Sequence, residues 1–404
     1  SLYINNLLNK TNNSAIIQSE ILNFSLNLPD GNYNWTVRCI DSRGYIGETE
    51  IRNLIISLFI PEIINVTVFP AHQAFGENVT ISAVLLNPFN VSVRLNVTNP
   101  NGLVTSYAVK NVTNQIWAQN FTDFVNGTYN FTFFVNYSNG LSTEEMGIFD
   151  FLVNLVGNCR TLNFSGINYT LIKSIYSPST CLIIDANNVV VDGKGYIIDG
   201  NRTPNTNGIE IVNKQNIIVK NLTVGNFDKG IKNLNIPIDI YYVNSILNIG
   251  DGIYLQDTDN LENRPNVLRN INVSFNNGRG LRLLRVSNAN ITNLFSEGNL
   301  DDGIEAEANP SIFVTPRYIL LNITIKNNGE NGLEFVRNIN NTLIRNVLLF
   351  NNIKKDLFIT TSSIINITNS NISSFSLNHS INNFLLNVTL STEQISSDSS
   401  LTRK

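Results

Sequence analysis

The chain of 404 residues has little charge, only two histidines and no long apolar run. Its 27 Lys and Arg residues form no cluster and are outnumbered by 31 Asp and Glu, which argues against nucleic acid or an anionic membrane surface as a partner. Apolar stretches such as LIISLFI (54–60) are far shorter than the roughly 20 residues that cross a bilayer. We therefore expect a soluble chain without a membrane span.

Most signatures of a catalytic or cofactor site are also missing. The sequence has no phosphate-binding glycine loop, dinucleotide fingerprint, zinc-ligand pattern or Ser/His/Asp set. The two histidines, His72 and His379, lie far apart in the chain. No cofactor is predicted, except that Ca²⁺ stays open because of acidic segments described below.

Cysteine is scarce, and its spacing is informative. Cys159 and Cys181 are 22 residues apart around a predicted strand and turn, a separation that suits a disulfide. Cys39 lies far from both, so its partner would have to be an upstream segment or another molecule. A disulfide indicates an oxidising, extracellular compartment.

Asparagine is abundant. About 70 asparagines and ordinary Ser/Thr usage would give roughly ten N-x-[ST] sequons by chance, and the chain has about 25. Asn and Thr also suit turns and exposed strands, but the excess favours an N-glycosylated cell-surface protein. The predicted acceptors include Asn65, Asn78, Asn96, Asn111, Asn126, Asn201, Asn340 and Asn387.

Two segments share one pattern and predict two β-sandwiches. GNYNWTVRCIDSRG (31–44) and GTYNFTFFVNYSNG (127–140) alternate apolar and polar residues after Gly-x-Tyr-x-aromatic. This alternation makes each a half-buried strand, with Tyr33, Trp35 and Val37 or Tyr129, Phe131 and Phe133 facing a core. The motif resembles the late strand of an immunoglobulin-like domain, where a tyrosine corner is common. The implied domains span 1–60 and 61–153.

The first predicted domain is short. If Gly31 is equivalent to Gly127, roughly 36 residues, two or three strands, are missing ahead of it. The domain is then either small, or completed by an upstream segment, or completed by another copy through strand addition. The last case is head-to-tail and propagates into a filament or lattice, so we expect a homo-oligomer or polymer. The polar segment 391–404 is predicted to be a tail, disordered on its own.

From about residue 157 the sequence becomes a repeat. Glycine followed by an aliphatic residue recurs in steps of about 22 to 29, as in NGIEI (207–211) and DGIEA (302–306). Short strands separated by asparagine-rich turns fit the coils of a parallel β-solenoid over 157–390. Its interior should contain a continuous aliphatic stack made of Ile209, Ile231, Ile253, Leu281, Ile304, Leu333 and Leu357.

The segment CRTLNFSGINYTLIKSIYSPSTCLIIDANNVVVDGKGYIIDG (159–200), with the coils that follow, resembles the right-handed parallel β-helix of archaeal cell-surface and NosD-like proteins. These proteins are related in fold to pectate lyases, and immunoglobulin-like modules often precede their β-helix. The resemblance implies an all-β fold class: two immunoglobulin-like β-sandwiches followed by a right-handed parallel β-helix. It also implies a cell-surface location more than an activity.

The segment NLDDGIEAEAN (299–309) concentrates four carboxylates, on Asp301, Asp302, Glu305 and Glu307. Asp302 follows Arg279, and Glu305 follows Arg282, one repeat later. We therefore predict a structural ladder of opposite charges, worth a few tenths of a kcal/mol per pair.

Two other interpretations of this segment stay open. The first is a Ca²⁺ site, with candidate ligands Asp301, Asp302, Asp257 and Asp259. The second is catalysis by Asp301, Asp302, Glu305 and Arg282, because two carboxylates can cleave a glycosidic bond. Asp301-Asp302 resembles a polygalacturonase motif, but the Asn-Thr-Asp, Gly-His-Gly and Arg-Ile-Lys segments of those enzymes are absent.

Together these patterns predict a non-enzymatic, extracellular structural glycoprotein of a cell envelope, surface layer or filament. The alternative is a polysaccharide-binding or polysaccharide-cleaving β-helix. A surface of aromatic and carboxylate side chains on one sheet would favour the alternative, and repeated contacts between copies would favour the first.

Overall fold

The computed structural model describes residues 1–404 except 18–20, 57–61, 75–76, 87, 89–90, 114, 124, 138–140, 258–263, 309–316 and 338. The described residues form strands and turns, and among them there is no helix of the length and hydrophobicity that a bilayer crossing requires. Two compact units contain residues 1–68, 80–120 and 130–148, and residues 69–79, 121–129 and 149–404.

The N-terminal segment forms a single five-stranded sheet. Its strands are Leu2–Ile4, Leu7–Lys10, Gly31–Ile40, Ile46–Glu48 and Arg52–Ile56. Leu2 and Ile4 are buried, but Tyr33, Trp35 and Val37 are only half-buried. The core expected for this strand is therefore incomplete within the described residues.

The next segment forms a five-stranded and a four-stranded sheet. The strands are Glu62–Phe69, His72–Ala74, Val79–Leu86, Val91–Thr98, Val104–Ala108, Lys110–Asn111, Ile116–Phe121, Gly127–Tyr137 and Ser142–Leu152. Tyr129, Phe131 and Phe133 are buried, as the alternation predicts. The Tyr129 hydroxyl donates to the Val125 carbonyl at 2.8 Å.

The equivalent hydroxyl of Tyr33 donates to the Pro29 carbonyl, also at 2.8 Å. Both tyrosines thus make the backbone hydrogen bond of a tyrosine corner, four residues upstream. The immunoglobulin-like assignment of these two segments stays a prediction.

Residues from Leu155 onward form a parallel β-helix, which confirms the predicted solenoid. Its 23 strands are all connected by parallel pairing, because the strands of each coil pair with those of the next coil. The strands are Leu155–Val156, Arg160–Leu162, Asn168–Leu171, Ile175–Tyr176, Leu182–Ile184, Val190–Asp192, Ile197–Asp199, Asn207–Val212, Ile217–Gly225, Lys229–Leu234, Ile238–Ile246, Ile253–Gln256, Asn266–Ser274, Leu281–Leu284, Asn288–Glu297, Ile304–Glu307, Arg317–Lys326, Leu333–Val336, Asn340–Phe350, Leu357–Thr360, Ser363–Asn378, Asn383–Ile395 and Leu401–Arg403.

Each coil contributes to three faces, named here in chain order. The first sheet holds the short strands that follow the repeated glycine, such as Ile253–Gln256. The second and third sheets are the two halves of each long strand, such as Asn266–Ser274. The long strand bends between them at one residue with positive φ, here Asn270 at 57°. The predicted aliphatic stack lies on the inner side of the first sheet, and all seven of its residues are at most 1% exposed.

A ladder of buried asparagines runs beside this stack, before the repeated glycines. The amide Nδ2 of each donates to Oδ1 of the next, at 2.8–2.9 Å, along Asn248, Asn276, Asn299, Asn328 and Asn352. Glycine is required where the first sheet begins, because a Cβ on Gly280 would lie 2.6 Å from the Gly303 carbonyl oxygen and 2.9 Å from Asn299 Nδ2. The repeated glycine and the asparagine ladder therefore depend on each other.

Cys159 and Cys181 form the predicted disulfide at the start of the β-helix, with Cα atoms 4.4 Å apart. The other end of the β-helix differs from expectation. Residues 391–404 do not form a separate tail, because Asn383–Ile395 pairs with Ser363–Asn378, and Leu401–Arg403 pairs with Asn383–Leu385. Main-chain hydrogen bonds of a parallel sheet do not depend on apolar side chains, so this polar sequence continues the coils.

Candidate functional site

The outer side of the first sheet carries a column of polar and aromatic side chains. Successive coils place these residues in register: Glu210, Lys232, Tyr254, Arg282, Glu305 and Glu334. A second set precedes the repeated glycines and includes Asp251, Arg279, Asp302 and Asn331. We call Arg279, Arg282, Asp301, Asp302, Glu305 and Glu334 the carboxylate–arginine surface.

Arg279 is the centre of this surface. Its guanidinium lies 3.2 Å from Asp301 and 3.7 Å from Asp302, and it is also paired with Glu305. The Arg282 Nε atom lies 3.3 Å from the same Glu305 carboxylate. The structure thus brings together the residues that the sequence predicted as a ladder, and those named as catalytic candidates.

The ladder is not purely alternating, because Glu305 is followed in register by Glu334. Glu334 shares a hydrogen bond with Asp302, and it also accepts one from the Asn331 amide at 3.2 Å. Burial and the neighbouring Asp302 charge raise the pKa of Glu334 to about 7. The hydrogen-bonded pair of Asp302 and Glu334 therefore keeps a proton to a higher pH than an isolated glutamate does.

The neighbouring carboxyl groups are also perturbed. Burial raises the pKa of Asp302, and the backbone N–H of Asn331, which donates at 2.8 Å, opposes this effect. Burial raises the pKa of Glu305, while the charges of Arg279 and Arg282 oppose it. Clusters in which burial and specific charges move pKa values apart are typical of acid–base sites, and also occur in structural ion-pair networks.

The sequence did not single out Glu334 as a site residue. Its position in the outward column was visible, but its proton depends on burial and on a contact with Asp302 from the preceding coil. The carboxylate of Glu307, by contrast, is paired with Arg337 at 2.6 Å. Glu307 therefore belongs to a separate ion pair.

An aromatic ring lies beside the surface. The Tyr254 ring lies 5.7 Å from the Lys229 ammonium and from the Arg282 guanidinium.

One group of carboxylates in the described residues has the spacing of a cation site. Carboxylate oxygens of Asp301, Asp302 and Glu330 all lie within 4.8 Å of one another. Arg279 already pairs with Asp301, and Lys354 pairs with Glu330 at 2.6 Å. Asp302 also pairs with Arg279, so all three carboxylates have a cationic side chain beside them, and Ca²⁺ binding here stays a prediction.

The other predicted Ca²⁺ ligands lie elsewhere. Asp257 is buried at the end of its first-sheet strand, near the Ser287 backbone N–H and the Asn266 side chain, and burial raises its pKa to about 6. It is outside the group of three carboxylates. Asp259 lies outside the described residues.

The predicted glycosylation sites are mostly accessible. Asn65, Asn78, Asn111, Asn126, Asn201 and Asn387 are exposed, whereas Asn96 and Asn340 are half-buried. The Asn340 side-chain oxygen accepts hydrogen bonds from the backbone and hydroxyl of Ser363. Cys39 is an exposed free thiol. Occupancy of the sequons and the partner of Cys39 stay predictions.

The histidines lie away from this surface. His72 Nδ1 is 2.8 Å from an Asp150 oxygen, and His379 is paired with Asp398 in the last coil. No contact joins either histidine to the carboxylate–arginine surface in the described part of the chain.

No family model matches the chain, and no curated protein matches it. Among solved structures, the A-module of the Azotobacter vinelandii mannuronan C-5 epimerase AlgE6 is 12% identical, with a TM-score of 0.40 over 62% of this chain and 78% of that one. The periplasmic alginate epimerase AlgG is 11% identical, with a TM-score of 0.35 over 59% and 76%.

The catalytic domain of a GH87 α-1,3-glucanase in complex with nigerose is 10% identical, with a TM-score of 0.33 over 82% of this chain and 91% of that one. Likenesses at this level carry no argument about activity. The assignment of a parallel β-helix follows from the strand register of this chain itself.

Proposed function

We propose that this chain is an extracellular protein that binds a polysaccharide across the carboxylate–arginine surface and cleaves its glycosidic bonds there. The observation that carries the proposal is a cluster of carboxyl groups on one sheet, in which Glu334 is hydrogen-bonded to Asp302 and has a raised pKa, while Asp301 and Glu305 are paired with Arg279. Aromatic and carboxylate side chains on the outer side of one sheet are what the polysaccharide alternative requires. The disulfide Cys159–Cys181 supports the extracellular location.

The chemistry is acid–base catalysis by two carboxyl groups. Glu334 donates its proton to the oxygen of the leaving sugar while the glycosidic C–O bond breaks. Water adds to the anomeric carbon and gives a proton to Asp301, whose side chain is 27% exposed. Arg279 holds Asp301 in place, and Arg282 pairs with Glu305.

The test incubates the full chain with soluble uronate polymers and neutral glucans and measures newly formed reducing ends. Glu334→Gln removes the proton donor and should lower the rate by about 100-fold or more. Glu210→Gln is the matched control, because Glu210 lies in the same column, is paired with Lys232 at 2.8 Å, and is remote from Glu334. The control variant should keep the wild-type rate.

Equal rates for both variants would contradict the assignment of Glu334. No cleavage and no binding of any polymer by the wild-type chain would reject the function. If the wild-type chain binds a polymer without cleaving it, and Arg279→Gln weakens that binding, the chain is a polysaccharide-binding protein and the proposed catalytic step is wrong.

A specific observation also favours the structural role, and we propose it as a second function: a cell-envelope glycoprotein that assembles with its own copies. The N-terminal sheet exposes apolar side chains to an unusual degree, with Leu7 73%, Tyr45 72% and Ile55 71% exposed. Surfaces of this kind mark interaction sites. The exposed thiol of Cys39 lies on the central strand of the same sheet.

Sedimentation of the full chain over a range of concentrations tests this second function. A sedimentation coefficient that increases with concentration in the wild-type chain, but not in Leu7→Ser or Ile55→Ser, would support it. Leu300→Ser is the control, because Leu300 is 65% exposed but lies in the β-helix. A monomer at all concentrations would reject it. Glycosylation is tested separately, as a native mass well above 45.0 kDa.

A further inference from the structure

The corner between the second and third sheets is built from one residue per coil, always with positive φ. Seven of eight successive positions are asparagine, which tolerates this conformation. The side chains bond across coils, as Asn293 to Asn270 at 2.9 Å and Asn322 to Asn293 at 3.1 Å. The strand register defines the column as Asn221, Tyr242, Asn270, Asn293, Asn322, Asn346, Asn369 and Asn387.

Tyr242 is the exception in this column. Its φ is 54°, a conformation that is unfavourable for a bulky side chain, and it is 61% exposed. It also has no amide to continue the ladder between Asn221 and Asn270. Neither backbone preference nor burial explains a tyrosine here, and strained residues of this kind concentrate at binding sites.

A second exposed aromatic ring with positive φ lies at the other end of the third sheet, one coil later. Phe275 has φ 59° and is 52% exposed, and the other members of its column are Asn226, Leu247, Gly298, Asn327 and Asn351. Gly298 of the next coil leaves room for it, because a Cβ there would lie 2.7 Å from the Phe275 ring. The sequence thus accommodates this exposed ring.

The sheet between these two rings presents uncharged polar groups. Thr223, Asn244 and Asn272 occupy the outward column in three successive coils, and the Asn244 amide lies 3.2 Å from the Thr223 hydroxyl. Five residue steps separate the two corners, or roughly 17 Å at strand spacing. Charges begin one coil later, with the pair Lys326 and Glu297 at 3.2 Å.

We propose that this face, the aromatic corner surface, binds a neutral glycan chain. Tyr242 and Phe275 stack against the apolar faces of sugar rings, and Asn244 and Asn272 bond their hydroxyls. The absence of charged side chains between the two rings disfavours uronates. The surface lies on the third sheet, so the proposal does not depend on catalysis by the first sheet.

The test is affinity electrophoresis of the full chain in gels that contain soluble α-1,3-, β-1,3- or β-1,4-linked glucans, with alginate as the anionic comparison. We expect retardation by at least one glucan and a fivefold or greater loss of affinity in Tyr242→Asn and in Phe275→Asn, as for truncated aromatic contact residues. Tyr242→Phe keeps the ring and should bind as wild type.

Thermal unfolding separates binding from structure. Tyr242→Asn introduces asparagine, the residue found at the other seven corner positions, which tolerates positive φ better than tyrosine. The Tm should therefore rise by about 2–4 °C while glucan binding is lost. The reverse change, Asn293→Tyr, should lower the Tm. Loss of glucan retardation in Tyr242→Asn and Phe275→Asn, but not in Glu210→Gln, which lies outside both surfaces, distinguishes this surface from the one on the first sheet.

Three results would overturn the proposal. These are a wild-type chain that no glucan retards, asparagine variants that bind as well as wild type, and a lower Tm for Tyr242→Asn. Loss of self-association in the asparagine variants, without any effect on glucan binding, would assign the face to contacts between copies instead.

Discussion

The buried asparagine ladder should contribute strongly to stability, and Asn299→Ala tests it. Asn299 Oδ1 accepts from both the backbone N–H and the Nδ2 of Asn276, at 3.0 and 2.9 Å, in a site without solvent access. Its own Nδ2 donates to Asn328 Oδ1 and to the Val273 carbonyl, each at 2.9 Å. Truncation therefore removes several hydrogen bonds and leaves a buried N–H without an acceptor.

The magnitude follows from these contacts. A buried polar group without a partner costs about 1–3 kcal/mol, and Asn276 retains an acceptor only for Nδ2, which lies 3.2 Å from the Ser245 carbonyl. With the lost bonds of Asn299 itself, we expect a decrease of about 2–5 kcal/mol in the free energy of unfolding. The neighbouring Asn277→Ala is the matched control, because Asn277 is exposed and should cost less than about 0.5 kcal/mol.

Urea unfolding of the full chain, followed by circular dichroism, measures both variants against wild type. The expected result is a lower midpoint for Asn299→Ala at an unchanged slope. Midpoints that coincide for the two variants would show that the ladder is replaceable, by water in the space left behind or by relaxation of the coils, and would refute this reasoning.

Other expectations follow from the same structure. Because Glu334 has a pKa of about 7 in the folded chain against 4.5 for the free side chain, stability should fall as pH rises from about 4.5 to about 7, and Glu334→Gln should make that fall smaller in pH-dependent unfolding curves, leaving the contribution of Asp257, whose pKa is raised to about 6. Ile253→Asp would bury an unpaired charge in the aliphatic stack, and a folded variant by circular dichroism would contradict the packing described. Reduction of Cys159–Cys181 should cost about 3 kcal/mol of unfolding free energy, measured with and without reductant.

The sequence was most informative where one residue type serves one role. The aliphatic residue after each glycine must be buried in a solenoid, and the disulfide followed from the spacing of Cys159 and Cys181. The buried asparagine ladder was not predicted, because Asn276 and Asn277 look alike in sequence although the first is buried and the second exposed.

The candidate site was predicted in part for a similar reason. Register alone pairs Arg282 with Glu305, and the structure has that pair. The proton on Glu334 depends on burial and on a side-chain contact between coils, which repeat spacing does not encode. The polar composition of 391–404 led to the wrong prediction of a tail, because the strands there pair through main-chain hydrogen bonds.

The coils of the β-helix differ in their number of residues but each adds the same length, and this affects how such a chain can evolve. Coils as different as 231–253 and 253–281 each advance the β-helix by one strand spacing, about 4.8 Å. The pairing of successive strands, and not the number of residues in a coil, sets this spacing. Duplication or deletion of one whole coil therefore changes the length of the β-helix by a fixed increment, while an insertion within a coil leaves that length unchanged. The length of the β-helix and the residues on its surface can therefore change independently.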